Sequence, residues 1–323
     1  MQTHFDDIHV CCIPTPHPFP VPPANVYLHK GEALTLFDAG ANTDAAYETL
    51  EHGLREAGVR ISDLDRILLT HHHLDHIGLS KRLKDVSGAV VMAHPAAAEQ
   101  IPYMFDDTMT RDHHEGLLAE LGVPPDIREK VIARQHQYRA LLDAFVIDQT
   151  LEDNASIGPF TVHFRSGHSV TDVVYTHREE RWAITGDHLI KDVTPNPILR
   201  RCPESGKREK SLVQYRASLL KTRELDVRLC LAGHGPAFDD HRAMVDRTLR
   251  HIARRGEKVL KAVPESGATP YEIMGRLFPR LSEPELYYCI SAATGHLELL
   301  EEQGALTCEN RSGVLYYAAA VNR

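Results

Sequence analysis

Residues 71–76 read His-His-His-Leu-Asp-His, four imidazoles and one carboxylate within six positions. Neutral imidazole nitrogen and carboxylate oxygen are the ligands Zn²⁺ takes up readily, and a zinc-bound water ionises near pH 7, about nine units below bulk water. The chemistry this run offers is metal-assisted attack on a carbonyl or phosphoryl centre. A lone histidine in a chain with 21 of them is more often a packed or surface residue. The density here argues otherwise. In an extended segment side chains alternate, so His71 and His73 point one way and His72 the other, with Asp75 and His76 following as the chain turns toward a helix. One segment can therefore serve two metal ions, and His72 is read as a bystander.

The elements that must hold such a site recur along the chain. The apolar run Ile67-Leu68-Leu69 delivers Thr70 and the histidines. Asn25 to Leu28 and Ala33 to Phe37 read as neighbouring strands, the second ending in Asp38-Ala39-Gly40, and Asp44 to Gly58 reads as an amphipathic helix closed by glycine. A helix over Ile77 to Asp85 and a strand over Ala89 to Ala93 ending at His94 follow. Later strands end the same way: Phe160 to Phe164 before Ser166-Gly167-His168-Ser169, Trp182 to Thr185 before Gly186-Asp187-His188, and Val227 to Ala232 before Gly233-His234-Gly235. Several apolar strands thus finish in a small residue followed by His or Asp, as though their ends met on one face of a sheet. Val10 to Pro23, with prolines at 14, 16, 18, 20, 22 and 23, is expected to be a loop at the site's edge, because proline suits neither a helix interior nor a central strand. Residues 95–144 read as a helical insertion bearing Tyr103, Met104, Phe105, Met109, Tyr138 and Phe145. Its histidines at 113, 114 and 136 are read as surface residues. His188 is left open between facing a substrate and bonding its own strand end.

The pattern H-x-H-x-D-H formed by His71, His73, Asp75 and His76 resembles the signature of the metallo-β-lactamase superfamily. The resemblance covers about Asn25 to Pro236 and implies an α/β fold, the αββα sandwich, with the site at its edge. It also implies His168, Asp187 and His234 as the remaining ligands of two Zn²⁺. His71, His73 and His168 would take the first ion, Asp75, His76 and His234 the second, and Asp187 would bridge. Asp75 and Asp187 are the implied catalytic carboxylates, able to handle the proton as an intermediate collapses. Asp38 is expected to orient a ligand imidazole through its free N–H. His73 stands where the iron-dependent oxygen-reducing branch has a carboxylate, so hydrolysis is expected. Asp187 stands where the family's true β-lactamases use cysteine or histidine, which leaves antibiotic hydrolysis at most a side activity. Ser166 replaces a proline common before the Gly-His pair.

The chain has 323 residues, 42% hydrophobic and 25% charged, enough for one large core and a second small domain. Residues 1–240 are read as the catalytic domain with the insertion at 95–144, and 241–323 as a linker helix and a winged-helix domain. The signals for the latter are a basic helix from Arg242 to Lys261, a cap at Thr269 with Pro270 after it, helix over Glu283 to Gln303, and a hairpin turning at Asn310 to Gly313. Residues 295–304 resemble the C-terminal winged helix of one branch of the superfamily, which includes both ribonucleases and thioesterases. The net charge of −9 argues against a protein that coats nucleic acid or an anionic membrane. Residues 200–261 nevertheless hold 16 Lys and Arg against 8 Asp and Glu, leaving −17 for the rest. Six cysteines without a C-x-x-C pair suit reduced thiols, and with no apolar signal at the amino terminus the protein is read as cytoplasmic. The expected activity is hydrolysis of a small acyl substrate, a thioester, ester or lactone. The alternative is a single-strand endoribonuclease using the same metals. No membrane partner is expected, nucleic acid is not favoured, and the winged helix is read as packing on the catalytic domain or making a homodimer contact.

Overall fold

Two sheets stack face to face because their strands turn one apolar set inward. The computed structural model describes residues 2–201 and 206–320. They divide into two compact units. The first comprises Met1–Phe105, Tyr138–Pro195 and Thr222–Met244. Its larger sheet runs β1 (Thr3–Phe5), β2 (Val10–Thr15), β3 (Ala24–Lys30), β4 (Leu34–Phe37), β5 (Arg66–Leu68), β6 (Val90–Ala93) and β7 (Gln149–Thr150), neighbours in that order. β1 to β4 pair antiparallel and β4 to β7 parallel. The smaller sheet is ordered β12 (Leu229–Ala232), β11 (Trp182–Gly186), β10 (Val173–His177), β9 (Phe160–Phe164) and β8 (Ser156–Ile157). Tyr27, Phe37 and Leu68 from one sheet meet Phe160, Tyr175, Trp182 and Leu231 from the other in a common core. The outer face of the larger sheet is covered by α1 (Asp44–Glu56), α3 (Ser80–Ser87) and α4 (Pro95–Tyr103), which bury Leu50, Leu54, Leu83 and Ile101 against Val26, Leu36 and Ile67.

Strand direction gathers the chemistry. β9 and β11 are both antiparallel to β10 and so run the same way, and β12 is parallel to β11. Their carboxyl ends therefore leave one edge of the sheet. The Tyr175 hydroxyl donates to the Leu69 carbonyl at 2.7 Å and the Val173 N–H to the Thr70 carbonyl at 2.7 Å, which fastens that sheet to the histidine segment.

Two expectations are corrected in this unit. Val10 to Thr15 is a strand, between β1 and β3, and not part of the proline loop. Pro14 is tolerated because the register of β1 ends at Cys12, so no ladder partner on that side needs its missing N–H. The helix expected over Ile77 to Asp85 is instead α2 (Leu74–Ile77) and α3, broken at Gly78-Leu79. A Cβ on Gly78 would lie 2.3 Å from the Asn42 nitrogen, and the Leu79 N–H donates to Gly40 O at 3.1 Å, so close backbone packing redirects the chain.

The second unit comprises Asp106–Gln137, Asn196–Lys221 and Val245–Arg323. It is built from α5 (Asp107–Glu120), α6 (Pro125–Gln137), most of α7 (Ser211–Arg223) and α8 (His241–Ala262), α9 (Pro270–Leu277), α10 (Leu286–Glu302) and the hairpin β13 (Leu306–Arg311) and β14 (Val314–Ala319). Leu117, Leu118, Leu121, Val131 and Ile132 join Ile273, Ile290, Leu297 and Tyr317 in one core. The units thus divide at several chain positions and not at one near residue 240. The segment 95–144 is not one body either: α4 and the 3₁₀ turn Tyr138–Leu141 lie in the first unit, while α5 and α6 bury their apolar faces in the second. Thr269 caps α9 in a capping box with Glu272. Ser312 and Gly313, both at positive φ, make the two-residue hairpin turn. Cys11, Cys12 and Cys230 are buried and Cys289 and Cys308 half-buried, all as free thiols, and Cys202 lies outside the described residues.

Candidate metal centre

Each candidate ligand stands just past a strand end. Thr70 to His76 follow β5 and enter α2, His168 follows β9, Asp187 follows β11 and His234 follows β12. His71, His73 and His168 present ligand atoms within 4.8 Å of one another, and so do His71, His76 and Asp187. His73 Nδ1 lies 2.9 Å from His168 Nε2. His234 Nε2 lies 3.3 Å from His76 Nε2 and 3.4 Å from Asp75 Oδ2. Asp187 reaches both halves, with Oδ2 3.5 Å from His168 Nε2 and 3.4 Å from His234 Nε2, and Oδ1 3.6 Å from His76 Nε2. All seven side chains converge on one volume.

A carboxylate behind the site sets which nitrogens face inward. Asp38 follows β4 at φ 61°, a left-handed conformation that Asp tolerates better than most residues. Its Oδ1 accepts the Thr70 N–H at 2.7 Å, and Oδ2 lies 2.8 Å from both Thr70 Oγ1 and His76 Nδ1. Because the carboxylate accepts, His76 carries its proton on Nδ1 and turns Nε2 inward. Thr70 donates its hydroxyl proton to Asp38 and so accepts at 3.0 Å from His71 Nδ1, which leaves His71 Nε2 inward as well. One buried carboxylate thereby fixes two imidazoles, as expected of Asp38.

The electrostatics favour a cation. Burial opposes charge on His76 and His234, yet Asp187, with Asp38 and Asp75 for His76 and with Asp75 for His234, raises them to about 9 and about 11. Burial likewise works against the Asp75 and Asp187 carboxylates, but the surrounding imidazoles hold both well below the usual range. Burial and neighbouring imidazoles keep His71 and His73 neutral, the form that binds metal. His71 Nε2 and Asp187 Oδ1 are buried without a hydrogen-bond partner. A Cβ on Gly233 would sit 2.2 Å from Asp187 Oδ1 and 2.9 Å from His76 Cε1, so only glycine allows the last ligand loop this close. Orphaned ligand atoms, a glycine-lined cradle and a nitrogen-oxygen donor set all fit metal ions.

The other histidines separate cleanly. His72 lies outside the cluster, as alternation predicts, but its Nδ1 is 2.9 Å from both Thr171 Oγ1 and Ser169 Oγ, so it ties two ligand loops together. His188 is buried, with Nε2 2.8 Å from Thr222 Oγ1 of α7. His136 is exposed, whereas His113 and His114 are half-buried, with His114 Nδ1 2.8 Å from the Thr110 carbonyl. Sequence reasoning missed His17. Its Nε2 lies 4.0 Å from Asp75 Oδ2, and by distance it could share a cation with Asp75 and His234. No spacing rule points to it, since it sits 54 residues before the histidine cluster in a stretch marked only by proline.

The fold and this constellation define a metal-dependent α/β enzyme. Residues 20–234 match the Metallo-beta-lactamase superfamily, about two thirds of the chain. The probable metallo-hydrolase YqjP of Bacillus subtilis is 31% identical over 315 residues, 95% of this chain and 97% of that protein. The crystal structure of a metallo-beta-lactamase family protein from Thermus thermophilus is similar with a TM-score of 0.82 at 27% identity, covering 96% of this chain and 98% of that one. A beta-lactamase domain protein from Burkholderia ambifaria shares the fold with a TM-score of 0.77 at 23% identity, covering 97% and 92%. The chain belongs to the metallo-beta-lactamase superfamily, as a metallo-hydrolase.

Proposed function

We propose that the protein is a dinuclear zinc hydrolase of a small acyl compound, a thioester, ester or lactone. The observation that carries the reading is Asp187, whose Oδ2 lies 3.5 Å from His168 Nε2 and 3.4 Å from His234 Nε2, so that one carboxylate reaches imidazoles of both groups. His71, His73 and His168 would hold one zinc, Asp75, His76 and His234 the other, and Asp187 both. Zinc bound there supplies a nucleophilic water at neutral pH and polarises the carbonyl. Asp75 and Asp187 bring only two negative charges, so two dications held there would leave the site positive toward an oxyanion developing during acyl transfer. Asp75 and Asp187 are the carboxylates we assign to take and return the proton. His71 and His76 keep fixed tautomers through Asp38 and Thr70, so the ligand shell is set before substrate arrives.

Substrate class rests on what borders the site. Phe19 and Tyr138 pack with ring centroids 4.9 Å apart, and Phe19 lies 5.5 Å from His17. This aromatic pair suits the apolar part of an acyl group. The basic excess of residues 200–261 is partly matched by acidic side chains of the second unit, since Arg200 pairs with Glu209, Arg208 with Glu298, Arg201 with Glu120, and Lys210 with Glu301 and Glu302. That favours an acyl substrate over RNA. The helices α9 and α10 followed by the hairpin support a winged helix, read as a packing or dimer module. Free thiols support a cytoplasmic setting. No helix among the described residues is long and apolar enough to cross a membrane.

The test is a panel of acyl thioesters, lactones and labelled RNA offered to zinc-loaded protein. Replacing Arg250, Arg254 and Arg255 together is expected to leave acyl hydrolysis within about 2-fold, because these side chains belong to α8 and not to the site. Phe19→Ala or Tyr138→Ala is expected to raise KM about 10-fold, the scale of about 1.4 kcal/mol of lost aromatic contact. A salt-sensitive RNA cleavage abolished by the Arg variant, with no acyl turnover in the parent, would replace this reading by the ribonuclease one.

A further inference from the structure

We infer that His17 is a positioning residue for His234, acting through the carbonyl of Pro22. This rests on the reading of His234 as a zinc ligand. The His17 side chain is 1% exposed although the loop around it holds exposed Pro18, Pro20 and Val21. Its Nε2 lies 2.8 Å from the Pro22 carbonyl oxygen. A carbonyl only accepts, so that nitrogen carries the proton. The Phe19 N–H donates to His17 Nδ1 at 3.3 Å. Both ring nitrogens are therefore engaged in a single neutral tautomer, and the lone pair a cation would need is turned to Phe19.

The same carbonyl takes a second donor. His234 Nδ1 lies 2.8 Å from Pro22 O and 3.1 Å from Pro23 O, so it too carries a proton toward the loop. Nε2, the atom that faces His76, Asp75 and Asp187, is therefore the nitrogen that would offer its lone pair to a metal ion taking the place of a proton there. Two imidazoles thus share the Pro22 carbonyl, one belonging to the site and one holding the acceptor in place. Prolines at 16, 18, 20, 22 and 23 stiffen the backbone between them and remove N–H groups that would compete for that oxygen. The far side of the His234 loop is held by Asn25, whose N–H donates to Gly233 O at 2.7 Å and whose side-chain amide donates to Ala232 O and Gly235 O. With its backbone fixed by Asn25, the remaining freedom of His234 is ring rotation, and Pro22 restrains that. A partner outside the ligand shell typically alters metal affinity about 10–100-fold when removed.

The test compares parent, His17→Ala and His17→Gln, the last keeping an N–H donor at similar reach. Zinc stoichiometry and dissociation constants are measured by competition with a chelator, together with the visible spectrum of the cobalt-substituted protein. His17→Ala is expected to keep two metal equivalents at saturation, to bind the weaker one about 10–100-fold less tightly, to shift the cobalt spectrum, and to lower kcat more than it raises KM. His17→Gln is expected to recover most of each change. If His17→Ala does not fold, His17→Met, of similar size and without a donor, takes its place. An alanine variant with the parent's affinity and spectrum would overturn the inference, as would a glutamine variant no better than alanine. Saturation at one equivalent in His17→Ala would make His17 a ligand and also overturn it. Failure of the parent itself to take up zinc would sink the ligand reading of His234, whereas failure confined to the variants sinks only the role of His17.

Discussion

Asp187→Ala is expected to lower bound zinc from two equivalents to one and to reduce turnover by about 10³-fold, the scale of losing a group that stabilises the transition state directly. The side chain lies within 3.6 Å of His76, His168 and His234 at once, so no neighbour can replace it. Its removal takes one negative charge from between two sets of imidazoles, so that two cations held there would repel each other more strongly. The effect on folding should be smaller, because Asp187 contributes no apolar surface to either sheet. Metal analysis after zinc loading, with kcat on the best substrate of the panel, checks both parts. Unchanged metal content and activity would remove Asp187 from the centre.

Asp38→Asn is expected to weaken zinc binding about 10–100-fold while leaving every ligand present. Asparagine has the same shape and also tolerates the left-handed backbone at φ 61°. One of its two polar atoms is a donor, however, and both positions already face donors. Pointed at Thr70 N, the amide meets the backbone N–H, and pointed at His76, it meets Nδ1–H. Either way a buried hydrogen bond becomes a repulsive contact, at a stability cost of about 1–3 kcal/mol. The relay through Thr70 means that His71 is also released from its tautomer. Zinc competition titrations and thermal melts of the metal-free protein measure the two consequences separately. Parent-like affinity would show that the imidazoles hold their orientation without Asp38.

How far this was legible in the sequence depended on whether the information is local. The run from His71 to His76 is readable because four imidazoles and a carboxylate in six residues have no common structural cause. Asp187 and His234 are readable because each follows glycine at the end of an apolar strand. Asp38 is readable for a related reason, being the first polar group after β4. His17, Pro22 and Asn25 were not, because the groups that matter there are backbone carbonyl oxygens, which every residue possesses. The proline count concealed β2, since the tolerance of Pro14 depends on where β1 stops pairing. The split of residues 95–144 was hidden because the apolar faces of α5 and α6 fit an insertion beside the site as well as a core with α9 and α10. The break at Gly78 reflects backbone from Ala41, Asn42 and Leu141, which no helical periodicity encodes.

The central claim is that these seven side chains form one two-metal site. It is tested most directly by metal analysis of the purified protein after zinc loading and removal of free ion. The account predicts close to two equivalents of zinc per chain, and one equivalent or none would contradict it.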